Sequence, residues 1–493
     1  MVTSEQQVER WGMLELAYPG PAGGNPFADC ELSADFRHGG RTVRVRGFYD
    51  GGGVYKIRFM PDAVGEWSFI TRSGSPELDG IAGSFRCAQP SPGNRGPVRV
   101  RDEYRFAYED GTPYVPVGTT CYAWTHQSEA LQRQTLDTLR SAPFNKIRMC
   151  LFPKKYSFNS VEPDLFPFAG NREEGFDWDR FNPAYFSRLE ERLRELQELG
   201  IEADLILFHP YDKGHWGFDA MDSDADERYV RYVVSRLAAF RNVWWSLANE
   251  YDFMKAKTMS DWDRLFRLVQ QEDPYGHLRS IHNGTGMYDP ESVVMYDHAK
   301  PWVTHCSVQH WDVNLTPIWH RLYRKPVVID ECCYEGNVPQ RWGNITAEEM
   351  TRRFWDAAGR GGYAGHGETY LHPEDEIWWA KGGRLYGDSP ARIAFMRGVL
   401  EAAPEGSRPI PAIRDVPTIG VPGEYYLLYF GIHRPAFRMI ELPPDASFQA
   451  EILDTWEMTV TPLEGRLTGS CRIELPGKPY LALRIYRSED AYT

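Results

Sequence analysis

Two glutamates each follow a short apolar stretch of the chain. Glu250 comes directly after residues 243–249 (VWWSLAN), and Glu331 comes after residues 326–330 (PVVID). A short, nearly continuous apolar run is typical of a strand buried on both faces of a parallel sheet. We therefore expect both carboxyl groups at the carboxyl ends of strands, where a (β/α)8 barrel carries its catalytic groups.

A pair of carboxyl groups in that position can hydrolyse a glycosidic bond with retention. One carboxyl protonates the leaving oxygen and the other attacks the anomeric carbon, and the two lie about 5–5.5 Å apart. The acid keeps its proton near neutral pH because burial and a neighbouring carboxylate raise its pKa. We predict Glu250 as the general acid/base and Glu331 as the nucleophile. A single glutamate at a strand end could equally be one half of a structural ion pair, but two such glutamates favour catalysis.

The region that must position these glutamates, residues 98–403, alternates between strand and helix patterns. Such alternation indicates a parallel sheet covered by helices. The helix before the third strand is well marked, because Asn182 can cap it, Pro183 suits its first turn and Gly200 can end it. Eight strands are predicted, at residues 114–118, 146–152, 202–208, 243–248, 278–282, 303–308, 326–330 and 362–365. The predicted fold is therefore α/β, a (β/α)8 TIM barrel.

The flanking regions have strand patterns without helical periodicity. Residues 1–88 predict an immunoglobulin-like β-sandwich, in which apolar alternation across residues 54–72 indicates a half-buried hairpin. A turn-rich linker follows at residues 89–97. After the proline-rich segment 404–422, short strands predict a second, C-terminal β-sandwich over residues 422–493.

The two glutamate segments resemble those of a known group of enzymes. Residues 245–250 (WSLANE) are similar to the strand-four Asn-Glu of clan A retaining glycoside hydrolases, and residues 328–331 (VIDE) resemble their strand-seven nucleophile. The layout also resembles a bacterial family of glycosidases with an immunoglobulin-like domain, a barrel and a C-terminal sandwich. Supporting segments are residues 176–183, 361–367 and 452–456.

The resemblance implies roles for further residues. Asn249 would bind the sugar 2-hydroxyl, and Arg148 would lie beside Glu331 and keep it ionised. A tryptophan after strand eight would form the floor of the −1 sugar subsite, and Trp378 and Trp379 are the candidates. These enzymes often have a tyrosine after strand six, for which there is no clear equivalent. His310 could replace it, or Tyr334 could reach across.

Three more side chains are expected at the same rim of the barrel. His209 follows the third predicted strand, and His310 and Trp311 follow the sixth. Each could contact substrate hydroxyls, although either histidine could instead be a satisfied structural group.

Composition argues against some kinds of partner. With 55 basic and 69 acidic residues the net charge is −14, which argues against nucleic acid. No stretch approaches the roughly 18 apolar residues that a membrane span needs. The N-terminus has no signal-peptide pattern and the 8 cysteines have no metal-ligand spacing, so we expect a cytoplasmic protein with reduced thiols, no metal and no cofactor.

The sequence thus predicts a retaining glycosidase, exo-acting on a small oligosaccharide or glycoside. Clan resemblance implies equatorial β-glycosides or α-L-arabinosides without choosing among them. Two alternatives remain open, a non-catalytic carbohydrate-binding protein on a barrel scaffold and a barrel metallohydrolase with ligands among the rim histidines and aspartates. A transglycosidase would share the same residues. The sandwich surfaces could support a homo-oligomer, but nothing specifies one.

Overall fold

The computed structural model describes residues 6–285, 287–288, 291, 293–410 and 415–488. They form a central barrel between two domains of antiparallel sheets, so the predicted fold class is confirmed. No helix among these residues is both long and apolar enough to cross a membrane.

The barrel has eight parallel strands, numbered in chain order: β1 (Gly118–Thr120), β2 (Lys146–Cys150), β3 (Glu202–Phe208), β4 (Val243–Ala248), β5 (Arg279–Ser280), β6 (Cys306–Gln309), β7 (Val327–Glu331) and β8 (Tyr363–His366). In the sheet they lie in the order β5-β4-β3-β2-β1-β8-β7-β6. β5 and β6 do not pair in a β-ladder. The barrel is closed there by individual hydrogen bonds, such as the one that Ser280 Oγ donates to the His305 carbonyl at 2.6 Å.

Helices cover the outside of the barrel and bury their apolar faces against the strands. The helix before β3 begins and ends as predicted, since Asn182 accepts from the Ala184 amide and Gly200 has a φ of 72°. The helices are α1 (Glu129–Ser141), α2 (Pro183–Glu198), α3 (Ser223–Leu237), α4 (Met259–Glu272), α5 (Thr316–Tyr323), α6 (Ala347–Ala358), α7 (Trp378–Lys381) and α8 (Ser389–Glu401). A hairpin, Phe168–Asn171 with Gly175–Phe181, lies between β2 and α2.

The predicted first strand, 114–118, is wrong by several residues. Pro113–Tyr114 instead belongs to a three-stranded antiparallel sheet with Phe106–Tyr108 and Val98–Val100. This sheet packs Phe106 and Tyr114 against Trp244 at the amino-terminal end of the barrel. The apolar pattern at 114–118 therefore reflects a plug beneath the barrel, and the barrel strand begins only at Gly118.

The N-terminal domain is a β-sandwich around a core of aromatic and aliphatic side chains. The predicted hairpin across residues 54–72 is wrong, because its two strands lie in different sheets and face each other across the core. Phe59 and Trp67 accordingly contact with ring centroids 5.0 Å apart. One sheet contains Gln7–Glu9, Ala82–Ala88, Gly65–Ser73, Leu32–His38 and Arg41–Arg46; the other contains Leu14–Pro19, Val54–Phe59 and Phe48–Tyr49.

The C-terminal domain pairs a six-stranded sheet with a two-stranded one. Its first strand is Arg408–Pro409, so the sheet begins earlier in the chain than residue 422. The larger sheet contains Arg408–Pro409, Thr418–Val421, Tyr425–Tyr429, Leu481–Arg487, Phe448–Asp454 and Thr459–Pro462; the smaller contains Phe437–Glu441 and Ser470–Glu474.

Buried ion pairs join the N-terminal sandwich to the barrel. Arg58 of the sandwich donates to Glu190 of α2 at 2.8 Å, and Arg236 of α3 donates to the same carboxylate at 2.6 Å. At the other side, Trp355 of α6 stacks on Tyr429 of the C-terminal sheet at 5.4 Å. Both sandwiches therefore pack against the outer helices of the barrel.

Candidate active site

Glu250 and Glu331 lie at the carboxyl ends of β4 and β7, as predicted. Glu331 is the last residue of β7, whereas Glu250 lies two residues beyond β4 with a left-handed backbone, φ 48° and ψ 49°. A non-glycine residue in that region is strained, and such strain concentrates at functional sites. The bend turns Glu250 against Gly284, where an added Cβ would lie 2.7 Å from Glu250 Cβ, so a larger residue at 284 would displace the carboxyl group.

Glu331 is buried among aromatic and imidazole groups. The Tyr122 hydroxyl donates to Glu331 Oε1, and Nε2 of His282 lies 3.5 Å from the same oxygen. Burial raises the pKa of Glu331 to about 8, and the nearby Tyr334 hydroxyl partly counteracts this. Burial lowers the pKa of His282 well below its usual range, so the charged imidazolium is disfavoured.

Glu250 has a matching tyrosine. The Tyr211 hydroxyl donates to Glu250 Oε2. Burial raises the pKa of Glu250, although the bonds from Tyr211 and Gln309 and the charge of Lys154 oppose the rise. Each carboxyl is thus held by one phenol and is easier to protonate than in water.

Asn249 connects the second strand to Glu250. Arg148 Nη2 donates to Asn249 Oδ1 at 3.0 Å, and Asn249 Nδ2 donates to the Tyr211 oxygen at 2.9 Å. Tyr211 then donates to Glu250, which makes a continuous chain of donors. The chain fixes the orientation of the Asn249 amide, whose second N–H has no partner among these contacts.

Arg148 does not take the place that the resemblance implied. It binds Asp204 at 3.1 Å and lies 3.7 Å from Asp330, and no contact between Arg148 and Glu331 occurs in the described part of the chain. Lys146 bridges the same two aspartates at 2.7 and 2.8 Å. The expected effect of Arg148 on Glu331 is therefore wrong: two aspartates neutralise the guanidinium, and the pKa of Glu331 follows its burial.

The two predicted rim histidines are engaged by the backbone. His209 Nε2 lies 3.2 Å from the Phe152 carbonyl and its Nδ1 accepts from the Tyr211 amide at 3.2 Å, and burial lowers the pKa of His209 to about 3. His310 Nδ1 accepts from the Asp312 amide at 3.0 Å. Trp311 remains 41% exposed beside His310, so a substrate that extends outward could reach it.

The two tryptophans after strand eight separate. Trp378 donates to Thr119 Oγ1 at 2.8 Å and packs in the main apolar core with Leu136 and Phe144. Trp379 lies in the site, with its ring centroid 5.8 Å from Tyr122 and 5.7 Å from Tyr334. Of the two, Trp379 is the one placed to contact a sugar.

Sequence reasoning missed several residues that contact the glutamates. Tyr122 was overlooked because the first strand was predicted at 114–118, which leaves residue 122 far from a strand end. Tyr211 follows β3 in residues 208–212 (FHPYD), and its position beyond the strand end was a usable signal. The other missed residues are His282 and Gln309, together with Lys154, which acts on Glu250 through its charge without a direct contact.

One buried group beside the site has metal-ligand residue types. Single ligand atoms of Glu335, His366 and Glu368 all lie within 4.8 Å of one another. Both carboxylates, however, already accept consecutive backbone amides, Glu368 those of residues 386 and 387 and Glu335 those of residues 388 and 389. The two carboxylates therefore have a structural task, which is to hold the turn before α8. A second group, His372, Glu374 and Glu376, is largely at the surface.

Comparisons with known proteins agree on the kind of site. Residues 101–382 match the apiosidase-like catalytic domain, and residues 7–74 and 414–486 match two domains of unknown function. A candidate glycoside hydrolase from Bacteroides vulgatus is 41% identical, with 98% of this chain and 100% of that chain covered and a TM-score of 0.92. A family 5 glycoside hydrolase from the same organism has the same fold at 14% identity, covering 82% of this chain and 96% of that chain with a TM-score of 0.59. No match was found among curated proteins.

Proposed function

The chain belongs to the apiosidase-like family of glycoside hydrolases, and from that premise we propose that it cleaves a terminal sugar with retention of configuration. Glu331 is the nucleophile and Glu250 the general acid/base of this proposal. The observation that carries it is the matched pair of carboxyls on β4 and β7, each buried and each bound by one tyrosine hydroxyl.

In the first step one proton is transferred and the glycosidic bond is replaced by an ester bond. Glu331 attacks the anomeric carbon while Glu250 gives its proton to the departing oxygen, so a glycosyl ester forms and the alcohol leaves. In the second step Glu250, now ionised, removes a proton from water, and the water oxygen displaces Glu331. Tyr122 stabilises the ionised form of Glu331, because a carboxylate is a stronger acceptor than a carboxyl group.

Asn249 and Trp379 are the proposed sugar contacts. The second N–H of the Asn249 amide has no partner among the described residues and is available for the 2-hydroxyl next to the reacting carbon, a contact that strengthens in the transition state. The Trp379 ring offers an apolar face to the sugar ring. Arg148 supports Asn249 and does not need to touch the substrate.

The family description gives the first substrate to try. Its apiosidase-like domain makes a terminal apioside the leading candidate, ahead of equatorial β-glycosides and α-L-arabinosides. An exo-enzyme on small glycosides would suit the cytoplasmic location expected from the sequence.

The test compares wild type with Glu331→Gln on a panel of aryl glycosides that includes the β-apioside. Turnover by wild type alone supports the assignment, and the active member of the panel names the terminal sugar. Proton NMR of the first-formed product then separates the mechanisms, because retention gives the anomer of the substrate. Equal turnover by Glu331→Gln, or an inverted first product, would contradict the proposal.

A further inference from the structure

Lys154 is buried in the wall of the site, four residues beyond β2. Its Nζ lies 3.8 Å from the centroid of the Tyr211 ring, 3.9 Å from Tyr122 and 4.2 Å from Tyr156. The ring of Trp379 adds a fourth wall at 5.0 Å. An ammonium group over an aromatic face is attracted by the ring quadrupole, so the four rings form a cage suited to a cation.

The cage is the only described partner of this ammonium group. Among the described residues, no hydrogen bond or ion pair involves Lys154 Nζ, and the side chain is only 1% exposed. The other buried lysines of the described chain each have a carboxylate: Lys146 has Asp204 and Asp330, Lys257 has Asp226, and Lys381 has Asp375. A buried charge without a counter-ion is costly, which points to a use for it at this place.

The two nearest rings are those of the tyrosines that bind the catalytic pair. Tyr122 donates to Glu331 and Tyr211 donates to Glu250. A positive charge against the face of a phenol draws electron density from its oxygen, so the hydroxyl becomes a stronger donor. One cation therefore acts on both carboxyls, through one ring each.

We propose that Lys154 is a positioning residue for the reaction, acting through Tyr122 and Tyr211. Its ammonium group holds both rings where their hydroxyls reach Glu331 and Glu250, and its charge favours the ionised form of either carboxyl. This inference rests on the proposed function, because it takes these two glutamates as the catalytic pair.

Burial and neighbouring charges act on the pKa of Lys154 in opposite directions. Burial lowers the pKa of Lys154 to about 8, with a smaller lowering by Arg148, while Cys150 and Glu250 oppose the fall. The titratable or charged groups that face it are Tyr122 after β1, Arg148 and Cys150 on β2, Tyr156 beyond β2, His209 and Tyr211 after β3, and Glu250 after β4.

The test measures the pKa of Glu250 without needing turnover. Infrared difference titration of wild type against Glu250→Gln gives that pKa. The measurement is then repeated with Lys154→Met against the double variant Lys154→Met/Glu250→Gln. Methionine keeps the length of the side chain and removes the charge, so the pKa of Glu250 should rise by about one pH unit. Lys154→Arg should restore the wild-type value, because a cation returns to the cage.

Kinetics provide the second readout. With a glycoside that wild type cleaves, Lys154→Met should move the rising limb of kcat/KM to higher pH and lower kcat about tenfold or more, with KM changed much less. The double variant with Tyr211→Phe should lose less activity than the product of the single losses, because both changes remove the same interaction. The control is Lys257→Met, which changes a buried lysine outside the site. It should leave the rising limb of kcat/KM at its wild-type pH.

Each other outcome overturns the proposal. An unchanged pKa of Glu250 in Lys154→Met means that the lysine only fills space, and a raised KM with an unmoved limb means that it touches the substrate directly. If Lys154→Met lacks a cooperative melting transition, Lys154→Gln takes its place under the same criteria. If Glu331→Gln is as active as wild type, the proposed function fails, whereas the infrared result for Lys154 stands by itself.

Discussion

At the scale of single residues, Glu250 and Glu331 have similar surroundings but unequal tasks. Glu250→Ala removes acid assistance and leaves the nucleophile intact. We expect it to keep much of its activity on aryl glycosides with good leaving groups, to lose about 10²–10⁴-fold on poor ones, and to be rescued by azide. Steady-state rates on a series of leaving groups measure this dependence.

Glu331→Ala is the matched variant, and it should abolish turnover on every leaving group because no glycosyl ester can form. Azide should rescue it, if at all, with a product of the opposite anomeric configuration. If Glu331→Ala retained wild-type rates, the nucleophile would have to be another residue.

The same two carboxyls set an expected pH profile. Burial raises the pKa of both, that of Glu331 to about 8. At low pH both carboxyls are protonated and the nucleophile is inactive, so kcat/KM should rise with pH through the lower apparent pKa of the pair and fall as the acid loses its proton. Because both values are raised, the rising limb should lie above pH 4.5, with about a tenfold loss per pH unit below it.

This profile is measured between pH 4 and 10 with an aryl glycoside whose leaving group is poor, because such a substrate needs the acid. Glu250→Ala serves as its control, since the falling limb should disappear when no acid is needed. A plateau that extends down to pH 4 would contradict the raised pKa values.

At the scale of elements, the accuracy of prediction depended on burial on both faces. The runs that became β3 and β4 are mostly apolar and are buried along their whole length, and both strands were predicted with the residues that the structure has. The pattern at residues 114–118 is also apolar, but it packs beneath the barrel as a plug. In the N-terminal domain, alternation identified two strands and their inward faces, yet it carries no information on which strand pairs with which.

The same reasoning explains the site. Residues directly after well-predicted strands, Asn249, Glu250 and Glu331, were found from the sequence. Tyr122 was missed because the strand before it was predicted several residues too early in the chain. The surroundings of Arg148 depend on contacts among β2, β3 and β7, which no local pattern encodes.

One element carries a buried carboxyl with no catalytic task. Glu202 begins β3, and Trp244 Nε1 donates to it at 2.9 Å. Burial raises the pKa of Glu202 to about 8, against opposition from Trp244 and Arg241. The unfolded chain releases this proton near pH 4.5, so the free energy of unfolding should fall as pH rises from about 4.5 to 8.

Glu202→Gln mimics the protonated form and can still accept from Trp244. It should melt close to wild type at pH 4.5 and about 3–6 °C higher at pH 9. Thermal unfolding across this pH range measures the difference, with Glu198→Gln at the exposed end of α2 as the control. A variant that is less stable than wild type at pH 9 would mean that folding does not disfavour the ionised form of Glu202, which contradicts a raised pKa.

At the scale of the whole molecule, the flanking domains are attached through buried polar contacts as well as apolar ones. Glu190 lies between Arg58 and Arg236, and Arg58 also donates to the Arg236 carbonyl at 2.8 Å. Arg236 binds Asp50 at 2.7 Å, so the barrel helix reaches the sandwich at two points. On the other side, Arg392 of α8 lies over the Trp456 ring at 4.2 Å. These contacts bind both sandwiches to the outer helices and predict that the N-terminal sandwich and the barrel unfold together.

Glu190→Ala tests that coupling, because it leaves two buried guanidinium groups facing each other without their shared carboxylate. We expect a loss of about 3 kcal/mol or more in the free energy of unfolding, and a separate, earlier transition of the N-terminal sandwich in calorimetry. The control is Asp62→Asn, which breaks an ion pair with Arg41 at the surface of the same sandwich, where the side chains are 48% and 50% exposed. That change should cost at most about 1 kcal/mol, because water screens and solvates exposed charges. A single unshifted transition in Glu190→Ala would mean that apolar contacts alone hold the sandwich to the barrel, and that the buried ion pairs contribute orientation without stability.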